Sequence, residues 1–387
     1  MIIASIPADF ADWLDFIVIA ALFAYVWEQG PFSLAFLAIA MGLPYMIVGP
    51  FIGAIVDRSD LRLVLIFSNL GRALTTGALI FAPNVAVVLI IVFIRSSVDS
   101  AFTPARHATI KILASEDQLA SVNTLVYGIN QLSKIAGPAI GGLLLMVLIP
   151  QYIFAINMSL SLIATALVWG IVIPAKKIKP EQEELSLFSQ VASGFNEIIS
   201  NKKLLMGISF VSISLFAIFL YDSFIPLLAI DFGFDPSIFG LSIAMVGAGG
   251  VLGALIISKI KLDDRHLFVM AGGAFLAGIG IACLGLLSFF NFTPSIIVFI
   301  MLFFSLGLTG AFIHIPYVTL LQLNSPEDKI GSIMTLGQGI SMVAMLSAPL
   351  FGGILAHNYS VAVPFIIGGT ILIIISIVGT FVNLSAK

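Results

Sequence analysis

The segment DFADWLDFIV, residues 9–18, sets Asp9, Asp12 and Asp15 three residues apart at the head of an apolar run. A carboxylate in such surroundings must be paired, hydrated or protonated, and exchange among those states is the chemistry it offers. Successive steps of three turn a helix by about 300°, so the three acids spread over about 120° of one side. Arg95 and Asp99 stand four apart, nearly in line on a helix, and are expected to form an intrahelical pair that Arg106 extends along the same line. Asn123, Tyr127, Asn130 and Lys134 follow at steps of four, three and four, a polar stripe aligned within about 40° and ending in a cation. Towards the C-terminus the candidates thin to Tyr221, Asp222 and His314, set among Met, Phe and Ser that suit an apolar or amphipathic solute.

The elements that carry these residues follow from composition. Of 387 residues, 60% are hydrophobic and 10% charged, and the mean hydropathy is +1.15, which excludes a soluble domain and points to a polytopic membrane protein. A helical span needs roughly 20 apolar residues. Runs of that kind fall at 8–27, 33–56, 63–82, 85–103, 121–147, 152–174, 204–229, 237–258, 267–290, 295–320, 330–356 and 361–383. The expected architecture is therefore an all-α membrane protein of twelve spans. A polar interruption over 175–203, with an amphipathic stretch near 186–199, separates a bundle over 1–174 from one over 204–387. The first run is read as a retained helix, because no small-residue cleavage site closes a short apolar core. Fourteen of the 17 basic residues fall on one side of the spans, while Arg72, Arg95 and Lys134 lie within them, so both termini are expected in the cytoplasm.

The chain also repeats itself. GPFIGAIVDR at 49–58 recurs as GGVLGALIIS at 249–258, and the pattern of ED, S..TL..GI and GPAIGGLL from Glu116 to Leu144 recurs 211 residues later, ending in APLFGGIL. Two related bundles side by side along the membrane normal place a solute path between them. The stripe of the first copy becomes Met334, Gln338, Ser341 and Met345 in the second, without its charge.

Depth separates the three aspartates. Only about 12 apolar residues follow Asp15, too few to cross, so the span must reach back to Ala8. That puts Asp9 near the cytoplasmic surface, in the first turn after Pro7 where the helix dipole favours an acid, with Asp12 about 6 Å and Asp15 about 10 Å deeper. Asp12 and Asp15 are expected to answer the in-span cations Arg95 and Lys134, and Arg72 is expected to hold loop acids in place.

These residues resemble the major facilitator superfamily. GAIVDRSDLR at 53–62 looks like the loop signature after its second helix, with Gly53, Asp57, Arg58 and Arg62 matching and Asp60 and Leu61 departing. Arg95 falls at the fourth-helix arginine, with Asp99 where a glycine is usual, and GPAIGG at 137–142 is similar to the core of the fifth-helix motif associated with antiporters. The run from Pro104 to Leu145, with SNLGRALTTGAL at 68–79, resembles the macrolide-efflux and enterobactin-exporter branch. The resemblance implies the two-bundle fold and alternating access. It marks Asp12 as functional, and Gly53, Asp57, Arg58 and Arg62 as a cytoplasmic gate. Gly137, Pro138, Gly141 and Gly142 form a packing motif where small residues admit a neighbouring helix.

The function expected is a secondary transporter exporting a small amphipathic compound, coupled to protons through Asp12, Asp15, Arg95, Asp99 and Lys134. Its cavity would be lined by Asn123, Tyr127, Asn130, Tyr221, Asp222 and His314. A siderophore or lysolipid carrier without obligatory proton exchange is the alternative, and a non-transporting receptor is disfavoured because no soluble domain stands out. No cofactor, metal or nucleic-acid partner is expected, nor enzymatic activity, since metal-ligand clusters, phosphate loops and nucleophile–base pairs are lacking. The expected setting is a bacterial cytoplasmic membrane, with the chain as a monomer.

Overall fold

Within a bilayer a chain must satisfy its backbone internally, and runs this apolar can do so only as helices. The computed structural model describes residues 2–49, 51–52, 56, 59–171, 173, 195–260, 265–326 and 330–385, and among these the regular structure is helical throughout. In chain order the helices are α1 (Ile2–Ala21), α2 (Pro31–Ile47), α3 (Leu61–Leu79), α4 (Val85–Asp99), α5 (Phe102–Leu113), α6 (Glu116–Leu144) and α7 (Pro150–Trp169). They continue as α8 (Lys202–Asp222), α9 (Ile225–Asp231), α10 (Pro236–Ile257), α11 (His266–Phe289), α12 (Ile296–Asn324), α13 (Ile330–Asn358) and α14 (Ala362–Ser385). Eight stretches among the described residues are long and apolar enough to cross a membrane. α1 has the length as well, 20 residues, but carries three aspartates.

Several boundaries differ from the sequence expectation, among them the break of the expected span 204–229 into α8 and α9, and three bear on the site. α1 begins at Ile2, so Pro7 lies inside it and Asp9 is past the first turn; the helix then loosens into a π-helical turn over Leu22–Val26. The fourth span breaks after Asp99, where Ser100 and Ala101 separate α4 from α5. α6 starts five residues before the expected 121, because Ser115 is extended and Glu116 already helical. Residues 195–200 of the expected amphipathic stretch are helical, and 186–194 lie outside the described residues.

The chain divides into two compact units, Met1–Lys179 with Phe234–Ala244, and Pro180–Gly233 with Met245–Lys387. In the first, α1 packs on α6 and α7, α3 on α7, and α2 on α4. Asp60, a departure from the family signature, caps α3 by accepting from the backbone N–H of Arg62 at 2.8 Å and of Leu63 at 3.3 Å. In the second, α11 packs on α14 and α12, and α8 on α13 and α14.

Glycines set the closest approaches in the second unit. A Cβ built on Gly307 of α12 would stand 1.9 Å from the Val246 carbonyl oxygen, and one on Gly249 of α10 would stand 1.9 Å from that of Phe304. The two helices are therefore locked backbone to backbone. Gly310, one turn along α12, faces open space. Gly307→Ala should consequently cost about 1–3 kcal/mol through overpacking and lower the melting temperature in detergent. Gly310→Ala should leave that temperature unchanged or raise it, since alanine is the better helix former.

Candidate functional site

α1 runs through the first unit with one carboxylate per turn, and the neighbouring helices answer each with a guanidinium. Asp9 is buried, and both its oxygens accept from Arg106 Nη1 of α5, at 2.8 and 3.0 Å. It is thus not the exposed first-turn acid that Pro7 suggested: with Pro7 internal, Asp9 falls inside the core and needs a partner. Asp15, with its side chain 1% exposed, accepts from Arg95 Nη2 at 2.9 Å and from the Thr76 hydroxyl of α3 at 2.9 Å.

Asp12 lies between them and is shared. Its Oδ1 meets the Nη2 groups of both Arg72 and Arg95, the latter at 3.0 Å, and its side chain remains 31% exposed. Arg72, fully buried in α3, also donates to the Ala8 carbonyl at 2.8 Å and brings Nε to 3.3 Å from Asp99 Oδ1. The other oxygen of Asp99 accepts a hydrogen bond from the Tyr45 hydroxyl of α2. The expected Arg95–Asp99 pair is therefore replaced by contacts across helices. Arg95 turns to two acids of α1, and Asp99, the last residue of α4, meets α2 and α3.

Local sequence explains the placement. Gly71 leaves room for Val98, whose Cγ1 would lie 2.7 Å from a Cβ there, so α4 settles against α3 beside Arg72. Gly137 and Gly141 do the same between α6 and α1, where added Cβ atoms would lie 2.6 Å from Trp13 Cβ and 2.3 Å from Ile17 Cγ2. Phe102, at the start of α5, stands between two cations, with the guanidinium carbons of Arg72 and Arg106 each 5.2 Å from its ring centroid. Its ring closes the site against an apolar cluster that includes Ala8, Leu65, Ala105 and Val168.

The other predicted residues distribute unevenly. Lys134 places its ammonium over the Trp13 ring, 5.4 Å from the centroid, whereas the ion pairs of Asp12 and Asp15 are with arginines. Tyr127 is exposed and Asn130 half-buried on the same helix, while the Asn123 side chain lies outside the description. In the second unit the counterpart of Asn130, Ser341, exchanges a hydrogen bond with Ser212 at 3.2 Å, and Met345 stands where the first unit has Lys134. Gly142 meets Pro236 and Gly240 of α10, within the stretch that clusters with the first unit, and Pro138 lies inside an unbroken α6.

Tyr221, expected to line a cavity, is instead buried with its ring 4.9 Å from that of Phe365, because α8 turns this face towards α14. Asp222 is half-buried at the end of α8, and His314 is exposed beside Tyr317. Of the gate residues, Gly53, Asp57 and Arg58 fall outside the described residues. Arg62 donates to the Trp169 carbonyl at the end of α7, joining two helices of one unit. Among the described residues the acids that Arg72 meets are Asp12 of α1 and Asp99 of α4, since its position in the middle of α3 aims it at those helices; the loop acid Asp57 lies outside the described residues. Among the described residues no group of three or more His, Cys, Asp or Glu is placed to hold a metal ion.

Sequence reasoning missed Tyr45, Thr76 and Phe102 and mispaired Arg72. Arg72 carried a usable signal, since a third in-span arginine needs a carboxylate; the other three carried none. What the cluster can do chemically is exchange partners. Arg72 and Arg95 each touch two acids, so neutralising Asp12 would leave Arg72 to Asp99 and Arg95 to Asp15.

The Major Facilitator Superfamily model matches residues 1–346. The uncharacterized MFS-type transporter YfiS of Bacillus subtilis is 27% identical over 96% of this chain and 89% of its own length. Macrolide efflux protein A of Streptococcus pyogenes is 25% identical over 94% of this chain and 91% of its own. The solved structure of the nucleoside transporter NupG, at 13% identity, superposes with a TM-score of 0.77 over 98% of this chain and 99% of that one, which shows the shared fold. A family match over this much of the sequence, on a helical chain with several membrane-spanning stretches, means that the protein belongs to the Major Facilitator Superfamily of membrane transporters.

Proposed function

We propose that the chain is a proton-coupled exporter of a small amphipathic compound of the macrolide kind. In this reading it works by alternating access between two six-span bundles, 1–174 and 204–387, with both termini in the cytoplasm and the chain a monomer in a bacterial cytoplasmic membrane. The likeness to macrolide efflux protein A supports the solute class and direction. The softer second unit, where Ser341 and Met345 stand in place of Asn130 and Lys134, agrees with an apolar solute.

One observation carries the coupling. Among the described residues, four carboxylates, Asp9, Asp12, Asp15 and Asp99, contact three guanidiniums, those of Arg72, Arg95 and Arg106. With all seven ionised, the contacting set bears one net negative charge in a medium where unbalanced charge is costly. Protonating Asp12 leaves three one-to-one pairs: Asp9 with Arg106, Asp15 with Arg95, and Asp99 with Arg72. Asp12 is also the most exposed of the four, at 31% against 12% for Asp99, 4% for Asp9 and 1% for Asp15. It is the acid that a proton can reach and whose neutralisation balances the rest.

Two outcomes are expected in proteoliposomes. Asp12→Asn should fold normally and still exchange a radiolabelled macrolide across the membrane, yet no longer accumulate it against its gradient when a pH difference is imposed. Accumulation at the wild-type level by this variant would overturn the assignment. Arg72→Lys should fail differently, because one ammonium cannot reach the Ala8 carbonyl, Asp12 and Asp99 together. A stranded buried carboxylate costs about 3–5 kcal/mol, so its folded yield and melting temperature should fall sharply.

A further inference from the structure

We propose that the Tyr45 hydroxyl is a positioning group that ties α2 to the charge network through Asp99, so that exchange of Arg72 between Asp12 and Asp99 is transmitted to α2. This inference rests on the coupling role given above to Asp12. Tyr45 lies in the last turn of α2 and donates to Asp99 Oδ2, which leaves Oδ1 to Arg72, 3.3 Å from its Nε. Asp99 is the terminal residue of α4, directly before the break at Ser100 and Ala101. A hydrogen bond at that point acts on the end of a helix and not on a rigid middle.

The internal repeat shows what this contact replaces. Gly49 of the first copy corresponds to Gly249 of the second, which sets Tyr45 against Met245 and the pair α2–α4 against α10–α12. In the second unit that pair is locked by backbone contact: added Cβ atoms would stand 1.9 Å from the Phe304 oxygen at Gly249 and 2.5 Å from the Leu308 oxygen at Gly253. In the first unit Gly49 faces open space, and Tyr45 reaches a carboxylate instead. A glycine seam has no state to switch between. A hydroxyl–carboxylate bond has two, since its strength depends on whether the carboxylate is charged and where Arg72 points.

The charged and titratable groups facing Asp99 are Arg72 of α3, Asp12 and, beyond it, Asp9 of α1, Arg95 of its own helix, Tyr45 of α2, and Arg106 of α5 across Phe102. Donation by Tyr45 to Oδ2 fixes the Asp99 carboxylate with Oδ1 turned to Arg72, in place to receive it when Asp12 takes the proton. Without the hydroxyl Asp99 is held less firmly towards Arg72, so the balance of Arg72 between Asp12 and Asp99 changes, and with it the pH dependence of transport.

The test is the pH profile of macrolide transport in proteoliposomes at a fixed pH difference. Tyr45→Phe, which keeps the ring, should shift the pH of half-maximal transport by about one unit, the scale expected for a hydrogen bond to a charged group. In an Asp99→Asn background, which removes the charged acceptor, Tyr45→Phe should produce no further shift. An unshifted profile for Tyr45→Phe would overturn the proposal, as would an equal shift in both backgrounds, which marks a general packing effect. The two readings fail separately. pH-driven accumulation by Asp12→Asn sinks the proton assignment, whereas an unshifted Tyr45→Phe beside an uncoupled Asp12→Asn sinks only the role of Tyr45.

Discussion

A guanidinium with no access to water cannot stand without carboxylates, and Arg72 makes that demand at the centre of the first unit. It is fully buried and reaches a backbone carbonyl and two acids on separate helices, so α1, α3 and α4 are tied at one point. The arrangement around it follows from satisfying that charge. Phe102 covers one face, Gly71 lets α4 approach, and Tyr45 holds the acid that Arg72 shares with Asp12. Such a cluster adds little net stability compared with a well-packed apolar core, so its retention in a chain with only 10% charged residues points to a use for the charge itself.

The two units solve the same packing problem with different chemistry. Where α1 meets α6, the first unit places a lysine over a tryptophan ring; where α8 meets α13, the second places two serine hydroxyls. Where α2 meets α4 there is a tyrosine–aspartate bond, and where α10 meets α12 there are glycines in backbone contact. Polar contacts in an apolar medium can be remade when a proton arrives, whereas glycine seams depend only on shape. The aspartate–arginine network lies in the first unit.

Much of this was legible in the residues. The cost of burying charge required Asp12 and Asp15 to find partners, and Arg95 was within reach; helicity followed from the long apolar runs. The errors arose where one helix was read in isolation. Spacing along α4 suggested Arg95 with Asp99, but two carboxylates on α1 offer Arg95 more than one on its own helix. Pro7 suggested a helix start, yet proline fits inside the early turns of α1, and that shift of six residues moved Asp9 from the surface into the core. Tyr45, Thr76 and Phe102 carry no local mark at all: a tyrosine, a threonine and a phenylalanine in apolar helices are ordinary until the neighbouring helix is known.

An even balance of acids and arginines would make this cluster a clamp, since each charge would have one partner and no reason to exchange it. The odd carboxylate changes that. In the proposed cycle, a charged Asp12 holds Arg72 and Arg95 at a single oxygen while Arg72 stays 3.3 Å from Asp99 and Arg95 2.9 Å from Asp15; with Asp12 neutral, each settles on one acid. In the proposed function, two pairing schemes of the same side chains, selected by one proton, would form a bistable element, which a proton-coupled carrier needs so that the state of the ion biases the state of the fold. Because Asp99 answers both to Arg72 and to Tyr45, the scheme in force at α1 is also felt at α2.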